Sequence, residues 1–177
     1  MRVIAGELGG RRLQSARGEQ TRPTAARVRE ALFSMLGELH GAVVLDLFAG
    51  SGALGIEAIS RGAASATFVE RAAPALAALR ANAAALRLGE RAEIRATDAL
   101  VALRAGGKYD LVFIDPPYAS AAELGGVLSS ELPAVLAPGA RVVSESDRRS
   151  PLELSLPLVR ERRYGDTMIR IHETTEP

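Results

Sequence analysis

The chain has 177 residues, 47% of them hydrophobic and 24% charged, with a net charge of +1. That is the length of one domain and enough apolar material for a core, which excludes two independent globular units and a disordered chain. The absence of Cys and the presence of only 2 His exclude a disulfide scaffold, cysteine-ligated zinc, iron–sulfur clusters and thiol nucleophiles, and leave little for a His-based metal site.

The first 35 residues carry seven Arg against Glu7, Glu19 and Glu30, so the amino end is the basic end of a nearly neutral chain. Arg offers a planar fork that suits phosphate, and an ordinary solvated surface is the alternative. No window reaches the ~18 uncharged apolar residues of a membrane span, and residues 1–30 hold no apolar signal-peptide core. A cytoplasmic location is expected.

The predicted elements begin with Val43–Phe48, a short apolar run rich in β-branched residues. It reads as a strand stopped by Ala-Gly-Ser-Gly and followed by a helix through Ile59. Ala66–Glu70 is a second strand, Pro74–Leu88 a helix with Pro in its first turn, and Glu93–Ala96 a weaker third strand. Tyr109–Asp115 is a fourth strand broken by Pro116-Pro117, and Ala119–Leu136 has helical composition ending at Pro138-Gly139. Arg141–Ser144 is a fifth strand, and Pro151–Arg163 with Thr167–Ile171 alternate as two antiparallel strands around Tyr164-Gly165-Asp166.

Alternating strands and helices predict a parallel sheet covered on both faces, with the last hairpin as an antiparallel edge. Ligands of such sheets bind beyond the carboxyl ends of the strands, where the strand order reverses. The first strand ends in Asp46, and Gly50, Gly52 and Gly55 come after it in a GxGxxG pattern. The glycines allow a ligand to approach the backbone beside a helix amino terminus. A carboxylate just before such a turn suits a cationic amino group and repels a pyrophosphate, unless Asp46 merely caps the turn. Glu70 ends the second strand, where a carboxylate can accept from ribose hydroxyls or simply open the next helix. Asp98 comes after the third strand as an acceptor for an adenine amine or as an N-cap.

Asp115-Pro116-Pro117-Tyr118 closes the fourth strand. The prolines remove two N–H donors and stiffen the loop, leaving the Asp115 carboxylate and the Pro116 carbonyl as acceptors for both hydrogens of an exocyclic amine. Tyr118 supplies an aromatic face for an extruded base. An amine held this way aims its lone pair at a sulfonium methyl.

At these residues the sequence resembles the class I S-adenosylmethionine (SAM) methyltransferases with an Asp-Pro-Pro-Tyr-type loop. Arg2-Val-Ile-Ala-Gly6, Gly10-Arg-Arg-Leu13, Arg22-Pro-Thr24, Arg27-Val-Arg-Glu-Ala-Leu-Phe33, Leu45 to Ala58 and Ser60-Arg-Gly-Ala63 look like the bacterial RsmD family. Those enzymes methylate N2 of one guanine in 16S ribosomal RNA. The resemblance implies a Rossmann-like α/β fold, a mostly parallel seven-stranded sheet with helices on both faces and a C-terminal antiparallel hairpin. It also implies a small basic N-terminal extension at 1–36, a hairpin at 2–15 plus a helix at 24–36, ahead of a methyltransferase domain at 37–177.

Carried over by residue, the resemblance implies that Asp46, Phe48, Gly50, Ser51 and Gly52 hold the methionine end of SAM, Glu70 the ribose and Asp98 the adenine. Asp115, Pro116, Pro117 and Tyr118 would hold the target guanine, with no metal. Arg2, Arg11, Arg12, Arg22, Arg27 and Arg29 would face the RNA. The implied partner is 16S rRNA in the small subunit or an assembly intermediate, met by a monomer. Methylation of DNA adenine or of a protein amide, a non-catalytic RNA-binding role and a nicotinamide oxidoreductase are the competing readings. His40 and His172 read as surface or packing residues, and Phe33, Met35 and Leu36 as core. Arg148, Arg149, Arg160, Arg162 and Arg163 either extend the RNA-facing surface or are solvated charge.

Overall fold

The computed structural model describes residues 1–16, 23–117 and 121–174. Helix α1 (Pro23–Leu36) precedes β1 (Val43–Asp46), α2 (Ala53–Ser60), β2 (Ser65–Glu70), α3 (Ala73–Ala85), β3 (Ala92–Ala96), α4 (Ala99–Arg104) and β4 (Tyr109–Ile114). The chain continues through α5 (Ala121–Glu131), β5 (Leu136–Asp147), β6 (Leu158–Tyr164) and β7 (Thr167–Glu173). The strands form one seven-stranded sheet in the order β3-β2-β1-β4-β5-β7-β6. β1 to β5 run parallel, and β7 lies antiparallel between β5 and the edge strand β6. The order reverses between β1 and β4, so the loops leaving those two strands diverge to opposite sides and open a cleft between them.

Strands buried on both faces alternate their side chains between two cores. Leu111, Phe113 and Phe68 join Val28, Leu32 and Phe33 of α1 and Ile56 and Ile59 of α2 on one face. Val112, Ile114 and Val69 join Leu103 of α4 and Leu128 of α5 on the other. Among the described residues no helix is long and apolar enough to cross a membrane.

The amino-terminal segment is a tight hairpin. Val3 donates its N–H to Arg11 (3.0 Å), Gly10 to Val3 (2.9 Å) and Leu13 to Met1 (3.0 Å). Val3 and Leu13 are buried in the same core as α1 and the sheet, so the hairpin and α1 share one hydrophobic interior with the α/β domain. The hairpin is seated on α2. The Glu57 carboxylate, with no exposed surface, accepts the N–H groups of Ile4 (2.8 Å) and Ala5 (3.1 Å). Gly6 adopts φ 83°, and a Cβ there would stand 1.8 Å from the Ser60 carbonyl oxygen, so only glycine allows this approach. Glu7 is exposed and pairs with Arg91 at 2.5 Å.

Two departures from the sequence reading have local causes. The helix expected to reach Leu136 ends at Glu131, with one 3-10 turn at Leu132–Ala134 after it, and β5 is already extended at Leu136. Pro138-Gly139, expected to stop a helix, instead lies inside β5 where the register with β4 shifts between Tyr109 and Leu111. Proline lacks an N–H, and such an irregularity is where a strand tolerates it. Of the expected strand 151–163 only Leu158–Tyr164 pairs. Leu152 and Leu154 are buried as their alternation predicts, but Pro151 and Pro157 remove ladder donors and residues 151–157 cover the core without joining the sheet.

Candidate active site

A cleft of about 1510 Å³ opens at the carboxyl ends of β1, β2, β4 and β5. Parallel pairing sets Asp46 beside Phe113, so the chain leaves β1 at Asp46 and β4 two residues beyond Phe113, at Asp115. Asp46, Phe48, Gly50, Ser51, Glu70, Asp98, Asp115, Pro116 and Pro117 all line this cleft. Reading the strand ends therefore brings the predicted acids together.

Asp46 is 1% exposed. Its Oδ2 accepts the Gly55 N–H at 3.1 Å, whereas Oδ1 is buried with no hydrogen-bond partner. Burial pushes its carboxyl up to about 7, the Gly55 N–H works against that rise, and Glu70 adds to it. One oxygen thus fastens the turn to α2 while the other awaits a donor from the cleft. Of the two roles weighed for Asp46, the contact to the turn is the one its hydrogen bonds make, through Oδ2.

The turn itself is fixed from two sides. Gly52 has φ 89°, the left-handed region that a side chain resists, and its N–H reaches Ala49 at 2.7 Å. The Ser51 carbonyl accepts from the buried Asn82 amide of α3 at 2.9 Å. Asn82 also pairs with the Gln14 backbone, accepting its N–H at 2.7 Å and donating to its carbonyl at 2.9 Å. The next two residues, Ser15 and Ala16, form part of the cleft wall.

Glu70 spans from the turn to α3. One oxygen accepts the Gly50 N–H at 2.9 Å, and the other accepts those of Arg71 (2.8 Å) and Ala72 (2.7 Å). A carboxylate has about four acceptor sites, so these bonds leave capacity for one further donor. Asp98 caps α4: its Oδ1 accepts the Leu100 N–H at 2.9 Å, and Oδ2 lies 3.3 Å from the exposed Arg71 guanidinium. Of the two roles weighed for Asp98, the cap is the one its contacts make.

Across the cleft Asp115 is half-buried, Pro116 buried and Pro117 exposed. Tyr118 and Arg22 lie outside the described residues. Arg2, Arg11, Arg12 and Arg27 are exposed, as phosphate contacts require. Arg29 is not. It is 6% exposed, donates to the Arg2 carbonyl at 2.6 Å and sits 3.9 Å from Glu57. Its charge compensates a buried carboxylate and ties α1 to the hairpin, so its place among the RNA-facing residues is corrected. His172 is buried against the Leu156 carbonyl (3.0 Å), where burial lowers its basicity. Phe33 and Leu36 are core, with half-buried Met35 packed against it. Arg148, Arg149, Arg160, Arg162 and Arg163 are exposed.

Sequence reasoning missed Arg71 and Asn82, and with them the acids of β5 and the last turn, Glu145, Asp147 and Asp166, which also line the cleft. The strand-end rule that found Asp46, Glu70 and Asp115 would have found Glu145 had the fifth strand been carried past Ser144.

Residues 1–173 match the family model described as Conserved hypothetical protein 95. A Bacillus subtilis protein named provisionally as the rRNA methyltransferase YlbH is 36% identical over 98% of both chains. The Escherichia coli ribosomal RNA small subunit methyltransferase D is 40% identical over 119 residues, 67% of this chain and 60% of that protein. Among solved structures, one of an E. coli protein named provisionally as the methyltransferase yhhF superposes with a TM-score of 0.85 at 34% identity, covering 100% of this chain and 99% of that one. An RNA methyltransferase from Salinibacter ruber, in complex with S-adenosyl-L-homocysteine (SAH), shares the fold at 20% identity, with a TM-score of 0.67 over 88% of this chain and 95% of that one.

Proposed function

Because the chain belongs to the family of Conserved hypothetical protein 95, the RsmD family, we propose that it methylates small-subunit ribosomal RNA with SAM, at the exocyclic N2 amine of one guanine. The observation that carries this reading is the pairing, across one cleft, of the buried Asp46 and its unpartnered Oδ1 with the acceptor loop at Asp115-Pro116.

The residues present fit SAM. The α-ammonium of its methionine end is the donor that the Asp46 Oδ1 lacks, and the remaining acceptor capacity of Glu70 suits a ribose hydroxyl. Phe48, Gly50 and Ser51 line the cleft between them, Gly52 shapes the turn behind, and the edge by Asp98 and Arg71 would take the adenine. When bound, SAM supplies an electrophilic methyl on a sulfonium.

The chain's own residues do the rest by orientation and electrostatics. Asp115 and the Pro116 carbonyl accept the two hydrogens of the amine, which directs its lone pair into the cleft and favours positive charge as it develops on nitrogen. Asp115 orients the amine, and the proton leaves to solvent after transfer. Arg2, Arg11, Arg12 and Arg27, with Arg22, contact RNA phosphates from the amino-terminal side. The substrate is a small subunit or an assembly intermediate, engaged by one copy of the chain.

Tritiated methyl transfer from SAM to small ribosomal subunits lacking the modification, followed by nucleoside mass analysis, tests this. N2-methylguanosine in the RNA is the expected product. Label in DNA or protein would move the acceptor and retain the loop chemistry, whereas SAM binding without label anywhere would leave a non-catalytic role.

A further inference from the structure

Near its carboxyl end β5 carries an acid, Glu145, that neither the cofactor side nor the amine-holding loop employs. Ser144 pairs with Ile114 in the parallel β4–β5 ladder, so the next residues, Glu145 and Asp115, occupy neighbouring positions at the carboxyl edge of the sheet. Adjacent strands lie about 4.8 Å apart, and both residues line the same cleft. Across the antiparallel ladder Glu145 meets Ile169, which offers no charge. Burial raises its carboxyl above the ordinary range. The neighbouring acids are otherwise engaged. Asp147 accepts the Arg149 N–H at 2.7 Å, and Asp166 pairs with Arg148 at 3.3 Å. Among the described residues, Glu145 is the acid on this side of the cleft that has no donor.

The amine-holding loop does not distinguish bases, because adenine N6, cytosine N4 and guanine N2 all offer two hydrogens. The ring atom beside the amine does differ. Guanine N1 carries a hydrogen, whereas adenine N1 and cytosine N3 present a lone pair. A carboxylate placed there accepts from guanine and repels the other two. A site built to receive a particular N–H rejects analogues without it far more strongly than a merely apolar pocket does.

We propose that Glu145 is the specificity-determining residue of the site, accepting N1–H of the target guanine while Asp115 and Pro116 hold its N2 amine. This rests on the reading of the cleft as a guanine amine-methylation site. Glu145 reads the base by direct contact, and the loop at Asp115 presents it.

The test uses the full chain with Glu145→Gln and Glu145→Ala, and small ribosomal subunits carrying either guanine or adenine at the mapped target. SAH affinity by calorimetry serves as the check on folding and on the cofactor side. The expected result is SAH affinity within about twofold of wild type for both variants and kcat/KM on guanine lowered roughly 10- to 100-fold, the range set by loss of one specific base contact. Glu145→Gln, whose amide can turn its N–H towards a lone pair, gains N6-methyladenosine on the adenine substrate while wild type makes none. Unchanged guanine kcat/KM in both variants, with no adenine product, overturns the role of Glu145 while leaving the methylation reading intact. Absence of N2-methylguanosine with the wild-type chain overturns that reading and this inference together.

Discussion

The two walls of the cleft are built differently. On the cofactor wall nearly every polar group is already committed: Glu70 to three backbone N–H groups, Asp98 to the start of α4, Ser51 to Asn82. On the base wall Glu145 carries no such commitment, and Asp115 leads into two prolines that offer acceptors only. A small, invariant ligand is met by a frame assembled beforehand, which lowers the ordering cost of binding. A base drawn from a larger molecule is met by acceptors that its own hydrogens must satisfy, so the wrong base leaves them unpaired. Asp46 belongs to both kinds, with one oxygen bound to Gly55 and the other waiting.

The contrast breaks most visibly at Asp115. Asp115→Ala should lower turnover about a thousandfold, the scale of losing an electrostatic and orienting contact to the reacting group, with SAH affinity within about threefold of wild type. A parallel loss of cofactor affinity, read by calorimetry, would mean that the walls are not separate.

Asp46 gives the next largest effect. Asp46→Asn should weaken SAH binding about 30- to 100-fold, the scale of a charge-assisted hydrogen bond. Because burial holds the Asp46 carboxyl up to about 7, wild-type affinity should rise roughly tenfold per pH unit up to that value and then level, while the variant stays flat. The apo protein shows the opposite sign. A carboxyl raised in the folded state contributes stability below its unfolded pKa and loses it as pH climbs through about 7. Apo Asp46→Asn should therefore melt at a higher temperature than wild type at pH 8 and at nearly the same temperature at pH 4.

Glu70→Ala sharpens the idea of a preassembled wall. It should cost about tenfold in SAH affinity and also lower the melting temperature, because three backbone donors lose their acceptor. The smallest effect belongs to Asp98→Ala. Loss of its cap on α4 should reduce stability by about 1 kcal/mol in denaturant unfolding, with SAH affinity changed less than threefold; a larger loss of affinity would assign Asp98 to the adenine.

The order of the elements and the two acids that face each other were legible in the sequence because both arise from short-range signals. Val43–Asp46 and Tyr109–Ile114 are β-branched or apolar runs ended by glycines or prolines, and the reversal rule then says which ends matter. Asp98 could not be assigned that way, since an acid before a helix satisfies a cap and a ligand equally well. Arg29 misled for a different reason. It sits in an Arg-rich stretch, but its buried partner Glu57 lies 28 residues away in the chain, on a helix with no other acid. Glu145 was passed over because pairing with β7, at Ile169 and on to Thr167, carries β5 beyond the apolar stretch that marks it in the sequence.

Glu57 also decides how shortened forms of this chain would behave. Its carboxylate has no exposed surface and is balanced by the hairpin's N–H groups together with Arg29 and Arg61. A truncation that begins after α1 strips away the hairpin donors and Arg29, uncovers Glu57, and removes Val28, Leu32 and Phe33 from the core, where losing one large side chain costs about 2–5 kcal/mol. That is comparable to the entire folding stability of many domains. An inactive deletion of the first 36 residues would thus report a collapsed scaffold rather than a missing RNA grip, and only point changes at the exposed Arg2, Arg11, Arg12 and Arg27 can separate the two.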